Sequence, residues 1–274
     1  MKAMLIDSTR CVGCRACQIA CKSWNELPSE STTFFAGKGY QNPGDLSAST
    51  WTLITYNETK RRGRFDWVFG KRQCMHCMMP ACATACPVHA LKKSEEGPVT
   101  YDASLCLGCR YCQLACPFDV PRFEWDRVLT KITKCTLCAD RVAEGQEPAC
   151  SKVCPTDAIV FGERGHMLEE AHRRIESNPR NYVHHVYGET EVGGTCVFHI
   201  SDVPQEQLGH VKGLSTEPYS AYSKPAMATI PYVLTGLGLG LGAVSWIVNR
   251  RQQLAAQEED LGHTKDPEQG GTGQ

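Results

Sequence analysis

Apolar residues come in short runs bounded by turn formers over most of the chain, a pattern of small strands and tight loops. Asp7-Ser8-Thr9-Arg10 closes one short strand and opens a loop. Asp102-Ala103-Ser104-Leu105 does the same after Val99, so the chain repeats a strand-into-loop unit. Thr50 to Thr55 and Phe65 to Phe69 are β-rich, with the basic Lys60-Arg61-Arg62-Gly63 turn between them, and predict a hairpin inserted within 23–70. Asn42-Pro43-Gly44-Asp45 reads as a turn, and Gly97-Pro98 breaks the chain. Pro87 to Leu91 and Pro155 to Phe161 each read as proline, turn, then apolar strand, and Thr195 to Ile200 as a last strand after Gly193-Gly194. Ala139 to Gln146 predicts a short helix ended near Gly145 and Pro148. Met167 to Glu176, apolar at 167, 168, 171 and 175, predicts a helix with one buried stripe. Residues 201–224 form a polar connector. From Pro225 to Asn249 no side chain is charged, which is long enough to span a bilayer, against the alternative of a buried hairpin in a soluble domain. Tyr232 and Trp246 lie near its ends, where aromatic belts sit, and Gly236, Gly238, Gly240 and Gly242 make two overlapping Gly-x-x-x-Gly patterns, read as one smooth face that lets another helix approach closely. The tail, 250–274, is rich in Gln, Glu and Gly and is expected to be disordered.

Charge adds little: the net formal charge is −1, and no basic stripe suggests nucleic acid. The 17 cysteines change the picture. Sixteen fall into four groups: Cys11, Cys14, Cys17, Cys21; Cys74, Cys77, Cys82, Cys86; Cys106, Cys109, Cys112, Cys116; and Cys135, Cys138, Cys150, Cys154. Cys106-Leu-Gly-Cys109-Arg-Tyr-Cys112-Gln-Leu-Ala-Cys116-Pro117 is the bacterial ferredoxin run for [4Fe–4S] clusters, in which three close thiolates grip one cluster and the fourth cysteine ligates a neighbour. Disulfides and zinc fit less well, because zinc takes cysteines as separated pairs. Groups two and three have the separation of the halves of a two-cluster ferredoxin. The swap rule therefore gives Cys74, Cys77, Cys82 and Cys116 to one cluster and Cys106, Cys109, Cys112 and Cys86 to another. Groups one and four pair by elimination, a pairing that also leans on the resemblance given below: Cys11, Cys14, Cys17 with Cys154, and Cys135, Cys138, Cys150 with Cys21. No tryptophan or aspartate replaces a cysteine, so four [4Fe–4S] clusters are expected. The fold expected is α+β: two nested ferredoxin-like modules in residues 1–200, then the connector and one C-terminal transmembrane helix at 225–249.

His76 lies inside the second loop and is read as a hydrogen-bonding neighbour rather than a ligand. Cys196, outside every group, is read as a buried free thiol, and Trp51 and Trp67 as packing residues. Arg110, Lys131, Lys134 and Arg141 lie near ligands and would raise cluster potentials, or are simply solvated. No Gly-x-Gly-x-x-Gly, P-loop, Gly-x-Ser-x-Gly or Cys-x-x-Cys-His occurs, so no substrate-converting site is expected and the chain reads as an electron relay.

The four groups, Cys116-Pro-Phe-Asp-Val-Pro-Arg122, Lys134-Cys-Thr-Leu-Cys-Ala-Asp-Arg141 and Gly145-Gln-Glu-Pro-Ala-Cys150 resemble the iron–sulfur (beta) subunits of the complex molybdopterin oxidoreductase superfamily. Within it the chain most resembles the beta subunit of membrane-bound respiratory formate dehydrogenase, Glu191 to Thr195 included. The iron–sulfur subunit of periplasmic nickel–iron hydrogenase is nearly as similar, at Lys71 to Cys77 and Tyr187 to Glu191. The resemblance implies a three-part complex. A catalytic subunit oxidises formate or hydrogen, this chain conducts the electrons, and a membrane cytochrome b packed on the glycine-bearing helix passes them to quinone. A quinol-oxidising reductase with reversed flow, and a soluble polyferredoxin, are the other classes. No secretory signal is visible before Cys11. Arg250-Arg251 outweighs Lys224, which puts the tail in the cytoplasm and the cluster domain outside; export alongside a partner bearing a twin-arginine signal would reconcile the two.

Overall fold

The computed structural model describes residues 1–33, 40–61, 63–125 and 130–263. Met1–Lys224 and Pro225–Gln274 are separate compact units. The first is built from β1 (Lys2–Asp7), α1 (Ala16–Trp24), β2 (Leu53–Arg61), β3 (Arg64–Arg72), α2 (Ala81–Thr84), β4 (Leu91–Lys93), β5 (Val99–Tyr101), α3 (Tyr111–Leu114), β6 (Arg122–Phe123), β7 (Ile132–Thr133), α4 (Ala139–Ala143), α5 (Ala149–Lys152), β8 (Ile159–Glu163), α6 (Arg164–Ser177) and β9 (Val197–Ile200).

The strands follow one rule. Each strand that leaves a cysteine group pairs antiparallel with the strand that enters the next: β2 with β3, β4 with β5, β6 with β7, and β8 with β1, which closes the circuit. β9 adds to β1 in parallel, giving a three-stranded sheet in the order β8-β1-β9. The expected hairpin is present as β2 and β3, with its turn at Arg62 outside the described residues.

Alternation along β1 decides where the cores lie. Ala3 and Leu5 face a core formed with α6 and β9, including Met167, Ala171, Ile175, Phe198 and Ile200. Met4 and Ile6 face the opposite core, which holds the cysteines together with Leu53, Ile54, Phe118 and Ile159. The stripe on α6 is as expected, with Arg174 beside it donating to Asp7 Oδ2 at 3.0 Å. β1 thus separates a plain hydrophobic support from the cysteine core.

Helix length follows proline. Cys86, Cys116 and Cys154 each precede a proline, which disfavours helical dihedrals at the cysteine; α2, α3 and α5 accordingly stop after 4 residues. Three residues after each of these cysteines the chain turns through a left-handed residue: His89, Asp119 and Asp157. Group one has Lys22 in place of proline, so α1 runs on for 9 residues and its left-handed turn comes later, at Glu26. α1 packs against α5 and α2 against α3.

The second unit continues α7 (Ser220–His263), which begins inside the last residues read as connector. α7 contains one segment long and apolar enough to cross a membrane. Thr229 Oγ1 and Thr235 Oγ1 donate to the Pro225 and Pro231 carbonyls at 2.9 and 2.8 Å, so these hydroxyls are satisfied within the helix. Two expectations change here. The stretch 250–263 is helical, because Gln252-Gln-Leu-Ala-Ala-Gln-Glu258 is made of strong helix formers; 264–274 lie outside the described residues. The four glycines do not share a face: at about 100° per residue, Gly236 and Gly240 lie on one side and Gly238 and Gly242 about 200° around.

Candidate metal centres

Each cysteine loop is shaped by the backbone before the thiols are considered. The residue ahead of the second cysteine is left-handed in all four groups: Gly13, His76, Gly108 and Leu137. Glycine adopts that conformation freely, and a Cβ at Gly13 would lie 2.8 Å from the Phe69 ring. His76 and Leu137 adopt it despite their side chains and are held by burial. The repeated aspartate now has a purpose. Asp7 Oδ1 accepts from the Thr9 N–H and hydroxyl at 3.1 and 2.6 Å. Asp102 Oδ1 accepts from the Ser104 N–H and hydroxyl at 2.9 and 2.6 Å. Each aspartate fixes the turn from strand to ligand loop.

The loops bring distant cysteines together. Cys11, Cys14, Cys17 and Cys154 line one cavity, walled by Ile6, Val12, Ile54, Phe69 and Ile159. Cys21, Cys135, Cys138 and Cys150 line a second. Cys86, Cys106, Cys109 and Cys112 line a third. Around Cys77, burial pushes the thiol well up, and neighbouring Cys74, Cys116 and Cys82 push it further. Each of the three cavities gathers three cysteines from one group and one from another. Among the described residues no three His, Cys, Asp or Glu side chains are gathered for a single ion. A four-thiol apolar cavity instead suits an iron–sulfur cluster, whose ligands stand apart around it.

Between sets, Cys17 is pushed up by Cys150, Cys135 by Cys74, and Cys82 by Cys112, in each case after the larger effect of burial. These interactions link the sets in the order Cys11, Cys135, Cys74, Cys106. Cys14 and Cys109, one in each end set, are the exposed cysteines. Burial raises the thiols of Cys17 and Cys21 to about 12, so taking up metal there must displace protons. Backbone N–H groups point at sulfur: Ala90 at Cys86 (3.2 Å), Leu137 at Cys135 (3.3 Å) and Gly108 at Cys106 (3.4 Å).

His76 accepts the Val99 N–H on Nδ1 at 2.9 Å and is no member of the four sets. Cys196 is buried and receives Lys93 Nζ at 3.2 Å. Trp51 is half-buried, with Nε1 donating to the Ala48 carbonyl at 2.9 Å, and Trp67 stacks on Tyr40 with ring centroids 4.7 Å apart. Of the four cations singled out, Lys134 is buried and donates to the Val99 and Cys135 carbonyls. Lys131 acts on Cys106. Arg110 lies 4.1 Å over Trp125, and Arg141 lies 4.3 Å over Trp24, whose Nε1 donates to Asp140 at 2.9 Å. That last contact ties the helix of group one to group four. Sequence reasoning missed Lys71, which is 2% exposed and lines the Cys11 cavity. The signal was there: strand alternation places Phe69, Lys71 and Gln73 on one face. It also missed the buried His199 and the half-buried His210, with ring centroids 4.3 Å apart.

Two matches to the 4Fe–4S dicluster domain family cover residues 65–164 and 10–90. The nitrate-inducible formate dehydrogenase iron–sulfur subunit of Escherichia coli K12 is 43% identical over 220 residues, 79% of this chain and 73% of that protein. The formate dehydrogenase iron–sulfur subunit of Haemophilus influenzae is 37% identical over 267 residues, 95% of this chain and 84% of that protein. The hydrogenase-2 operon protein HybA of Escherichia coli O157:H7 is 36% identical over 238 residues, 75% and 71% of the two chains. The chain belongs to the family of formate dehydrogenase iron–sulfur subunits. As a member it carries two dicluster domains and four [4Fe–4S] clusters, and its role is electron transfer.

Proposed function

We propose that this chain relays electrons between a molybdopterin formate dehydrogenase-like catalytic subunit and a membrane cytochrome b with a quinone site. Four cysteine sets, each acting on the next, with exposed cysteines only in the Cys11 and Cys106 sets, carry this reading. When bound, each [4Fe–4S] cluster supplies one-electron redox chemistry. The proposed ligands are Cys11, Cys14, Cys17 and Cys154; Cys135, Cys138, Cys150 and Cys21; Cys74, Cys77, Cys82 and Cys116; and Cys106, Cys109, Cys112 and Cys86. The pairing makes two nested ferredoxin-like modules, groups two and three within groups one and four, as the packing of α2 on α3 and α1 on α5 supports.

The chain's own residues do the rest. Apolar walls such as Ile6, Ile54 and Phe69 enclose the Cys11 set. N–H groups aimed at Cys86, Cys106 and Cys135 stabilise the more negative reduced state. In this reading residues 1–200 are the cluster domain, 201–224 the connector and 225–249 a single span of the inner membrane. Arg250-Arg251 faces the cytoplasm and the cluster domain the periplasm. The same relay in a nickel–iron hydrogenase is the second reading, favoured by the likeness to HybA.

One experiment separates them. The complex is purified through a tag on this chain and assayed for metals and for formate- and hydrogen-dependent cluster reduction. Molybdenum or tungsten with formate activity and about sixteen iron atoms per chain are expected; nickel with hydrogen activity would move the assignment to the second reading. In the same preparation Cys154→Ser should remove the cluster of Cys11, Cys14 and Cys17. Loss of the Cys135 cluster alone would refute the swap.

A further inference from the structure

Lys71 is among the largest fully buried side chains, on β3 opposite Ile54. Its Nζ donates to Thr52 Oγ1 at 2.7 Å and to Gln73 Oε1. Both acceptors are neutral, and among the described residues no carboxylate closes on the ammonium. A buried cation without a counter-charge is strongly unfavourable, so something at this position must be negative.

The cavities say what it is. The Lys71 side chain lines the cavity of Cys11, Cys14, Cys17 and Cys154. Thr52 and Gln73, the two side chains that hold its ammonium, line the cavity of Cys21, Cys135, Cys138 and Cys150. The ammonium therefore stands at the wall between the two sets. Cys150, Cys17, Cys135 and Cys21 each act on it electrostatically, and they belong to those two sets. Lys134, buried, and Lys93, half-buried, act on Cys82 and Cys77 instead.

We infer that Lys71 is the shared internal counter-ion of the two clusters held by groups one and four, a positioning residue that raises both potentials together. This rests on the relay reading above. A fixed positive charge favours the reduced, more negative state of each neighbouring cluster, and the low-dielectric surroundings strengthen the effect. Conversely, the two clusters are what make a buried ammonium tolerable. Thr52 and Gln73 aim it, and the β2–β3 hairpin carries it in. The inserted hairpin is thereby given an electronic purpose as well as a structural one.

The test uses the purified complex and follows all four clusters by redox titration monitored by electron paramagnetic resonance, with iron counted per chain. Lys71→Met keeps the length and removes the charge. Two clusters should then titrate at lower potential while the other two hold their wild-type values, and Lys71→Arg should restore the wild-type pattern. If Lys71→Met loses iron, the loss should be confined to those two clusters, about half of the total. Unmoved potentials, a shift or loss common to all four clusters, or a Lys71→Arg complex that behaves like Lys71→Met would each overturn the inference. A wild-type complex with fewer than four clusters would instead sink the relay reading. The two failures are therefore distinct.

Discussion

The meeting of groups one and four and the loop of group three set cysteines in contrasting surroundings. In the first, Cys17, Cys21, Cys135 and Cys150 are buried, and burial, with neighbouring thiols adding to it, drives two of their thiols to about 12. In the second, Cys109 is exposed and its neighbours Leu107 and Leu114 are 71% and 83% exposed. Burial still raises Cys106 there, but the Tyr101 hydroxyl, the Gly108 and Ile132 N–H groups and Lys131 outweigh it, and the thiol is lowered overall. Where water is excluded, the protein must supply the compensating charge from within, and Lys71 is that charge. Where water has access, a hydroxyl, a few N–H groups and solvent are enough. Arg110, free of that duty, lies over Trp125.

The largest effect should come from exchanging one proposed ligand at each site. Cys150→Ser removes a ligand from the core and leaves Lys71 with part of its counter-charge gone. Uncompensated buried charge costs about 3–5 kcal/mol, so the chain should lose at least two clusters and most of its soluble yield. Cys109→Ser should cost one cluster, about a quarter of the iron, and leave a soluble chain. Iron per chain and melting temperature report both. Equal damage from the two would mean that burial does not set the difference.

Burial without a counter-charge gives a sharper case. His210 is pushed down to about 4 by burial and by Arg72, and its neighbour His199 is pushed well down by burial, His210 and Lys71. Both are neutral in the folded chain, whereas an unfolded histidine titrates near 6.5. Between those values the unfolded state binds more protons, so stability rises with pH. It is complete above about 6.5 and is lost as the pH falls toward 4, by about 3 kcal/mol for His210. Melting temperature measured from pH 7 to pH 5 should fall more steeply in the wild type than in His210→Gln. Parallel slopes would remove His210 from the argument.

The contrast also explains what could be read from the sequence. The four cysteine groups were legible because cluster ligation forces spacing on the chain, and the aspartate turns because they repeat. β1 was legible as a short apolar run, and the stripe of α6 because one face of that helix is apolar. Lys71 was only half legible: alternation sets it on the face of Phe69 and Gln73, but a lysine in a strand normally faces water, and it takes the partner strand and the cavities to show that this face turns inward. Helix at 250–263 was hidden by a composition that suits disorder and surface helix equally. The cyclic strand pairing was hidden because β4 to β7 are 2 or 3 residues long, too short for a period to show.

The smallest difference tests whether burial governs geometry as it governs charge. Gly13 and Gly108 are equivalent positions, with φ of 68° and 69°. Alanine at either should cost about 1–2 kcal/mol for the left-handed dihedral. The surroundings then differ in kind. At Gly13 the added Cβ meets the edge of the Phe69 ring at 2.8 Å, and a side chain can tilt. At Gly108 it meets the Thr130 carbonyl oxygen at 2.6 Å, and backbone has no rotamer to change. Gly108→Ala should therefore lower the melting temperature more than Gly13→Ala, although Gly108 belongs to the more exposed loop. The reverse order would mean that room in the core, rather than backbone contact, limits these loops. Phe69 would then be the side chain that holds the Cys11 cavity open, and Phe69→Leu should relieve the cost of Gly13→Ala.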